Sequence, residues 1–535
     1  MNRERGTAIG YAALYSLALL QSILTSWAQA DAPDGRPNIL YILTDDLGYG
    51  DVSALNPQNK IKTPQIDRLA AEGMTFTEAH ASSAVCTPSR YSILTGRYNW
   101  RSTLKSGVLG GFSKPLIEKD RLTVAELLRR ENYRTACIGK WHLGLDWPRL
   151  PESGNDKTND SDAGDGAKID FTKPIKNGPT TVGFDYFFGI SASLDMPPYA
   201  FIENEHVTAQ PTAVGRLTGA DGKQTRIGPL VPGFKAEDVL PTLTQNAVDY
   251  IVRSAERTAK PFFLYLALPT PHTPVAPAKE WLGKSRLNVY ADYVMETDDC
   301  VGKVLAALGK NRIVTNTLVI FTSDNGCSPA ADFPFLLAHG HDPSAGRRGY
   351  KADIYDGGHR IPLIVRWPER IGANTTCDAL LCLGDFMATC AELLKAKLPD
   401  NAGEDSISFL PLLLSSTASA GRTVLVESSI NGSFGLREGK WKLALCPDSG
   451  GWSYPRPGKD STDGMPRFQL FDVGTDPAEK SNVISQHPEI VQRLGRMMRD
   501  YLVNGRSTPG VPQRNTWVKL WQQIKWLEEF DKVQR

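Results

Sequence analysis

Four stretches of the chain are apolar and β-branched without alternation, and each breaks off into polar residues. Residues 38–44 run into Asp45-Asp46, 318–322 into Asp324-Asn325, 261–267 toward His272, and 135–138 into Lys140 and His142. A continuous apolar run of this length suits a strand covered on both faces, because a strand with one wet face would alternate. Helical spacing of apolar positions lies between them, as at 124–131 and 293–308. The pattern predicts an α/β domain with a mixed, mostly parallel sheet flanked by helices. Ligands in such sheets bind beyond the carboxyl ends of the strands, which is where the polar residues just named fall.

Residues 152–168 are almost all Gly, Asp, Asn and Ser, which predicts a surface insertion. Asp160, Asp162 and Asp165 lack EF-hand spacing and read as part of a solvated loop. A helical stretch covers 383–395. From 423 the rhythm changes: short strand-like pieces at 423–427, 433–436, 440–445 and 468–473 alternate with turns and predict a small antiparallel sheet. Trp517, Leu520, Trp521, Ile524 and Leu527 recur at helical spacing, which predicts a helix docked against the core. The chain divides into 1–30, a large α/β domain over 31–420, and a small α+β domain over 421–535.

Composition narrows the function classes. With 535 residues, 41% hydrophobic and 22% charged, the chain is neither disordered, collagenous nor coiled coil. A formal net charge of +1 gives no bulk attraction for nucleic acid or anionic membrane, so anion recognition must be local. Residues 1–30 combine a basic start at Arg3 and Arg5, an apolar run over 8–20 and the small residues of Ala28-Gln29-Ala30. That is the pattern of a cleaved secretory signal, and the run is shorter than the roughly 20 residues that cross a bilayer. The expected location is secreted or periplasmic, with no membrane attachment after cleavage. Eight cysteines in an exported chain invite a disulfide or two without fixing a pairing, and no Cys-x-x-Cys pair suggests thiolate-bound zinc.

The sharpest local signal is Cys86-Thr87-Pro88-Ser89-Arg90, followed by Leu94-Thr95-Gly96-Arg97. Pro88 favours a helix start, so Cys86 falls where backbone N–H groups are unpaired and the helix dipole is positive, a setting for an anion or an activated nucleophile. By itself a lone cysteine is more often a small buried residue or half of a disulfide. The pentapeptide, however, resembles the maturation motif of the type I sulfatases, in which a separate formylglycine-generating enzyme oxidises the cysteine to formylglycine. The resemblance continues in order through Asp45-Asp46, Gly139-Lys140-Trp141-His142-Leu143-Gly144, the His272 segment, Thr322-Ser323-Asp324-Asn325-Gly326, and Lys351 ahead of Tyr355-Asp356-Gly357-Gly358-His359-Arg360-Ile361-Pro362. It closes on Phe468-Gln469-Leu470-Phe471-Asp472 with Asp476-Pro477 and Asn482.

The resemblance implies a fold similar to alkaline phosphatase and a bound divalent metal. Asp45, Asp46, Asp324 and Asn325 offer oxygen donors only, which select Ca²⁺, or Mg²⁺, over zinc. Ca²⁺ is favoured because these four, a sulfate oxygen and an oxygen of the group made from Cys86 would fill about six sites of irregular geometry. Alone, Asp45-Asp46 would read as a turn or helix cap; the second oxygen cluster changes that. Arg90 lies one helical turn beyond Cys86 and can reach the modified side chain or the metal carboxylates. As the family mechanism implies, hydrated formylglycine attacks sulfur through one hydroxyl, the alcohol leaves, and the second hydroxyl expels sulfate to restore the aldehyde. Asp324 would help activate the attacking hydroxyl, Lys140 would bind sulfate or the hydrate, His142 would assist release, and His272 and Lys351 would donate to the leaving oxygen.

Cations, metal and a proton donor stabilise a sulfate ester more as its S–O bond breaks, which is what catalysis requires. Ser193 and Asp195, with Tyr199, and the loop Gly451-Trp452-Ser453-Tyr454 could touch the leaving group, or equally be packing. A sulfated carbohydrate is the expected substrate, with aryl sulfates as slow surrogates. The rivals are a phosphomonoester or phosphonate hydrolase of the same superfamily, and a carbohydrate-binding relative in which Cys86 is never converted.

Overall fold

The computed structural model describes residues 35–151, 166–257, 259–415, 421–517 and 521–530. The expected signal peptide and residues 152–165 of the insertion lie outside them. A ten-stranded sheet runs in the spatial order 375–377, 74–76, 363–366, 317–323, 38–45, 262–271, 134–140, 186–190, 202–203 and 206–207. Its five central strands, from 317–323 across to 186–190, are parallel. The short strand Leu363–Arg366 turns the sheet antiparallel at one side and Ile202–Glu203 at the other.

The unbroken apolar runs have the cause the pattern predicts. Along Asn38–Asp45, Ile39, Tyr41 and Leu43 pack into one core while Leu40 and Ile42 pack into the other. The helices Val239–Ala255 and Val289–Lys310 cover the second face; Cys86–Thr95, Val124–Arg130 and Phe386–Leu393 cover the first. Each fully buried Leu or Ile in this sandwich contributes roughly 1.5–3 kcal/mol relative to an exposed one.

A second sheet of four antiparallel strands, Val424–Ser428, Phe434–Glu438, Trp441–Ala444 and Gln469–Asp472, is backed by the helix Pro488–Val503. The expected docking helix near the C-terminus is corrected. A 3-10 turn at Gln522–Ile524 and a short helix at Leu527–Phe530 replace it, and Ile524, Trp526 and Phe530 are the buried residues. Leu520 of the predicted stripe lies outside the described residues, and Trp521 beyond it is extended rather than helical. The expectation of a disulfide is also corrected: all eight cysteines are free thiols, most of them buried on separate elements.

Candidate active site

Register delivers the site. Thr44 pairs with Ser323, Asp45 with Pro271, and Ala267 with Gly139, so Asp45-Asp46, Asp324-Asn325, Lys140 and His272 leave four adjacent strands at one edge. Successive side chains of a strand point to opposite faces, which would separate Asp45 from Asp46. Asp46 instead takes a left-handed backbone, φ 66°, which turns both carboxylates to one side. Such a conformation costs about 1–2 kcal/mol in a non-glycine residue. Hydrogen bonds brace it: Asp46 N donates to Asp324 Oδ1 (3.4 Å), Leu47 N to Ser323 Oγ (3.1 Å) and Tyr290 Oη to the Asp46 carbonyl (3.4 Å). Gly139 (φ 120°) is required where the strands converge, because a Cβ there would sit 1.9 Å from the Ala267 carbonyl oxygen.

Cys86 opens the helix Cys86–Thr95, and every residue of that helix is buried. Val85 at the N-cap has no side-chain cap, which leaves the first N–H groups to the site. The ligand atoms of Asp45, Cys86 and Asp324 lie within 4.8 Å of one another, as do those of Asp45, Asp46 and His272. Burial pushes the Cys86 thiol up, against the pull of Lys140 and Lys351. An unmodified Cys86 is therefore a poor thiolate nucleophile.

Three cations meet three carboxylates here. Arg90 holds Asp324 Oδ2 through Nε (2.9 Å) and Nη2 (2.8 Å), with Nη2 also 3.5 Å from Asp45. Lys140 Nζ lies 2.5 Å from Asp45 Oδ2, and Lys351 Nζ lies 2.8 Å and 2.9 Å from the two oxygens of Asp46. Burial alone would raise the Asp45 carboxyl, but Lys140, His272, Arg90 and Lys351 outweigh it and hold it far below the usual range. Asp324 goes the other way, pushed up to about 6 by burial and by the Asp45 charge.

Two buried acceptors are left over: Asp45 Oδ1 and Asn325 Oδ1 have no hydrogen-bond partner. Asn325 spends its Nδ2 on Asp46 Oδ1 (2.7 Å) and the Gly326 carbonyl (2.9 Å). Orphaned buried oxygens are costly, and a hard cation is what would satisfy them. Since the carboxylates and side-chain cations cancel, a divalent ion would leave the site positive toward an anion.

His142 (φ 57°) has Nε2 2.7 Å from the Leu109 carbonyl, while its buried Nδ1 has no partner. Burial, then Lys140 and Arg90, keep this ring neutral far below the usual histidine range. With Nε2–H donating to Leu109, Nδ1 is left as an acceptor. His272 donates Nδ1–H to the Thr273 carbonyl (2.7 Å) and turns Nε2 toward Asp46, 3.7 Å away. It is 8% exposed and Lys351 5%, so both can be reached from solvent.

Of the residues singled out in the sequence for the leaving group, Ser193 is buried with an unpartnered Oγ, and Asp195 faces Arg226 at 3.8 Å rather than the carboxylate cluster. Tyr199 is 1% exposed and its Oη bonds Thr225 Oγ1 (2.7 Å) and the Arg226 carbonyl of a later segment, so of the two readings open to it these contacts favour packing.

Two supporting groups escape sequence reasoning. Asp51 accepts from Gly48 N (2.8 Å), Tyr290 Oη (2.5 Å) and His341 Nε2 (2.8 Å), directly behind the Asp46 turn. Farther along, Lys442 Nζ sits 3.0 Å from Glu427, 3.0 Å from Glu479 and 3.4 Å from Asp356, with His80 Nδ1 3.0 Å from Glu427. His80, Asp356 and Glu427 have the spacing of a metal site, but the Lys442 ammonium already supplies the cation. For the first, the sequence offers no more than an Asp six residues past Asp45 and a histidine 290 residues farther on.

A family model described as Sulfatase matches residues 37–396. The chain belongs to the sulfatase family. This sulfatase is 35% identical over 499 residues to an N-acetylgalactosamine-6-O-sulfatase of Bacteroides thetaiotaomicron, covering 86% of this chain and 92% of that protein. It is 30% identical over 496 residues to human arylsulfatase A, covering 89% and 90%. A solved Bacteroides thetaiotaomicron sulfatase, reported with the metabolism of multiple glycosaminoglycans, superposes with a TM-score of 0.73 at 32% identity, covering 87% of this chain and 99% of that one. The sulfatase is thus an enzyme that hydrolyses sulfate esters, on the fold expected for it.

Proposed function

We propose that this sulfatase is an exported enzyme that removes sulfate from a carbohydrate, with formylglycine made from Cys86 as nucleophile and Ca²⁺ as the resident metal. The observation that carries the reading is the convergence of Cys86, Asp45 and Asp324 within 4.8 Å beside two unpartnered buried oxygens, Asp45 Oδ1 and Asn325 Oδ1. Asp45, Asp46, Asp324 and Asn325 would hold the ion, which would supply Lewis-acid stabilisation of charge on the sulfate oxygens. The formylglycine hydrate would supply an attacking hydroxyl and a second hydroxyl for elimination, which a simple alcohol lacks.

The surrounding side chains then have distinct tasks. Asp324, with Oδ2 taken by Arg90, would accept the proton of the attacking group at Oδ1. Lys140 would hold the sulfate. Lys351 Nζ and His272, which turns Nε2 into the site, would donate to the leaving alcohol oxygen. His142 Nδ1, neutral and without a partner, would take the second hydroxyl's proton as sulfate departs.

Carbohydrate as the substrate is supported by the N-acetylgalactosamine-6-O-sulfatase relative. Export rests on the sequence of residues 1–30; among the described residues no helix is long and apolar enough to cross a membrane. We place the division at 420/421, with the four-stranded sheet in the second part and Lys442 reaching Asp356 of the first.

Mass spectrometry of the Cys86 peptide from the native source tests the central step, since formylglycine weighs about 18 Da less than cysteine. The expected result is the lighter peptide in active enzyme, with Cys86→Ala folded and inactive. Active enzyme carrying only unmodified Cys86 would sink the proposal, and faster phosphate than sulfate release would favour the phosphoester hydrolase.

A further inference from the structure

Trp452 and Tyr454 stand in water, 42% and 67% exposed, on a loop that is tightly fastened. Tyr and Trp combine an apolar face with a polar handle, which suits them to contact surfaces. The buried Asp353 accepts from Trp452 N (2.7 Å) and Ser453 N (3.0 Å) through one oxygen, Oδ1. Ile354 N donates to the Ser449 carbonyl at 2.7 Å, and Tyr350 Oη to the Trp452 carbonyl at 3.3 Å. Gly451 presses against the main chain so closely that a Cβ would lie 2.4 Å from the Ala352 carbonyl oxygen.

All of these anchors lie within residues 350–354, the segment that also carries Lys351. The Lys351 side chain reaches inward from this backbone to Asp46. The loop therefore stands at the outer end of a side chain whose inner end is in the active site. A pyranose presents a C–H face that stacks on an aromatic ring and a rim of hydroxyls that need polar neighbours. The exposed Arg456–Asp460 pair, two residues beyond Tyr454, offers such neighbours.

We propose that Trp452 and Tyr454 form a stacking subsite for the sugar next to the sulfated one, so that this sulfatase selects an oligosaccharide over a single sulfated sugar. The proposal rests on the carbohydrate reading above and adds the extent of chain recognised.

The test uses three substrates on the matured, full-length enzyme: a sulfated N-acetylhexosamine, a tetrasaccharide ending in the same sulfated sugar, and 4-nitrophenyl sulfate. Trp452→Ala is expected to lower the tetrasaccharide-to-monosaccharide ratio of kcat/KM about tenfold, chiefly through KM, the size of one lost aromatic contact. Tyr454→Ala should move the ratio the same way by less, and Trp452→Phe should restore most of it. An unchanged ratio in Trp452→Ala, including an equal loss on all three substrates, overturns the subsite. Wild-type enzyme that cleaves the aryl sulfate and neither sugar overturns the carbohydrate reading itself, a result visible before any variant is made.

Discussion

Arg90→Met separates the electrostatic role of this side chain from its packing, because methionine keeps much of its length and none of its charge. Arg90 is fully buried, spends two nitrogens on Asp324 at 2.8 and 2.9 Å, and donates Nη1 to the Lys140 carbonyl at 3.0 Å. At about 3 Å and an effective dielectric constant of 20, the ion pair has a Coulomb energy of about 5 kcal/mol. Removing one partner of a buried pair costs about 3–5 kcal/mol, since the other charge stays behind unpaired.

In the variant, Asp45, Asp46 and Asp324 would face Lys140, Lys351 and the His272 ring without the guanidinium. Metal-free protein should therefore melt several degrees lower than wild type. A divalent ion should restore more of the loss than it adds to wild type, because it supplies the missing charge and no longer meets a guanidinium. Thermal melting in chelator and across a Ca²⁺ series reads both effects, with turnover expected to be lost because Asp324 is no longer oriented. Equal melting of the two proteins in chelator, or equal Ca²⁺ increments, would refute the reasoning.

Two further outcomes follow from buried side chains to which the sequence assigned no role. Tyr290→Phe removes the 2.5 Å hydrogen bond to Asp51 and the contact with the Asp46 carbonyl, so Ca²⁺ affinity by titration calorimetry should fall, with about 1–3 kcal/mol of stability lost; unchanged affinity would leave the brace a packing device. His359, buried with both ring nitrogens unpartnered, is held down to about 4 chiefly by burial, against an unfolded value of about 6.5. Its contribution is present above pH 6.5 and is lost as pH falls toward 4, about 3 kcal/mol over the full window. His359→Met should flatten the fall of melting temperature between those pH values, and a slope identical to wild type would contradict it.

The unbroken apolar runs were enough to specify a parallel sheet, because burial on both faces removes the alternation that any other strand must show. Pro88 placed Cys86 at a helix start, and the polar residues after each run placed Asp45, Asp46, Lys140, His272, Asp324 and Asn325 at strand ends. Those are local properties, carried by residues a few positions apart. What joins them is register: Thr44 meets Ser323, and Ala267 meets Gly139, across more than a hundred residues of intervening chain. Periodicity also misjudged the end of the chain, where an extended Trp521 breaks the expected helix and the third core takes up Ile524, Trp526 and Phe530.

Tertiary structure alone decided the rest. Asp51 needs Tyr290 and His341 to become a brace, and their separations of 239 and 290 residues leave no trace in local spacing. Lys442 turns three acidic side chains into a closed charge cluster instead of a second metal site. Tyr199, aromatic and beside polar residues in sequence, became core because its hydroxyl finds Thr225, while Trp452 stayed in water because Asp353 pins its loop outward. The sequence by itself determined where the buried strands run and where the candidate side chains fall along them, because both are properties of neighbouring residues; distance, burial and the partners each charge finds arise only when remote segments meet.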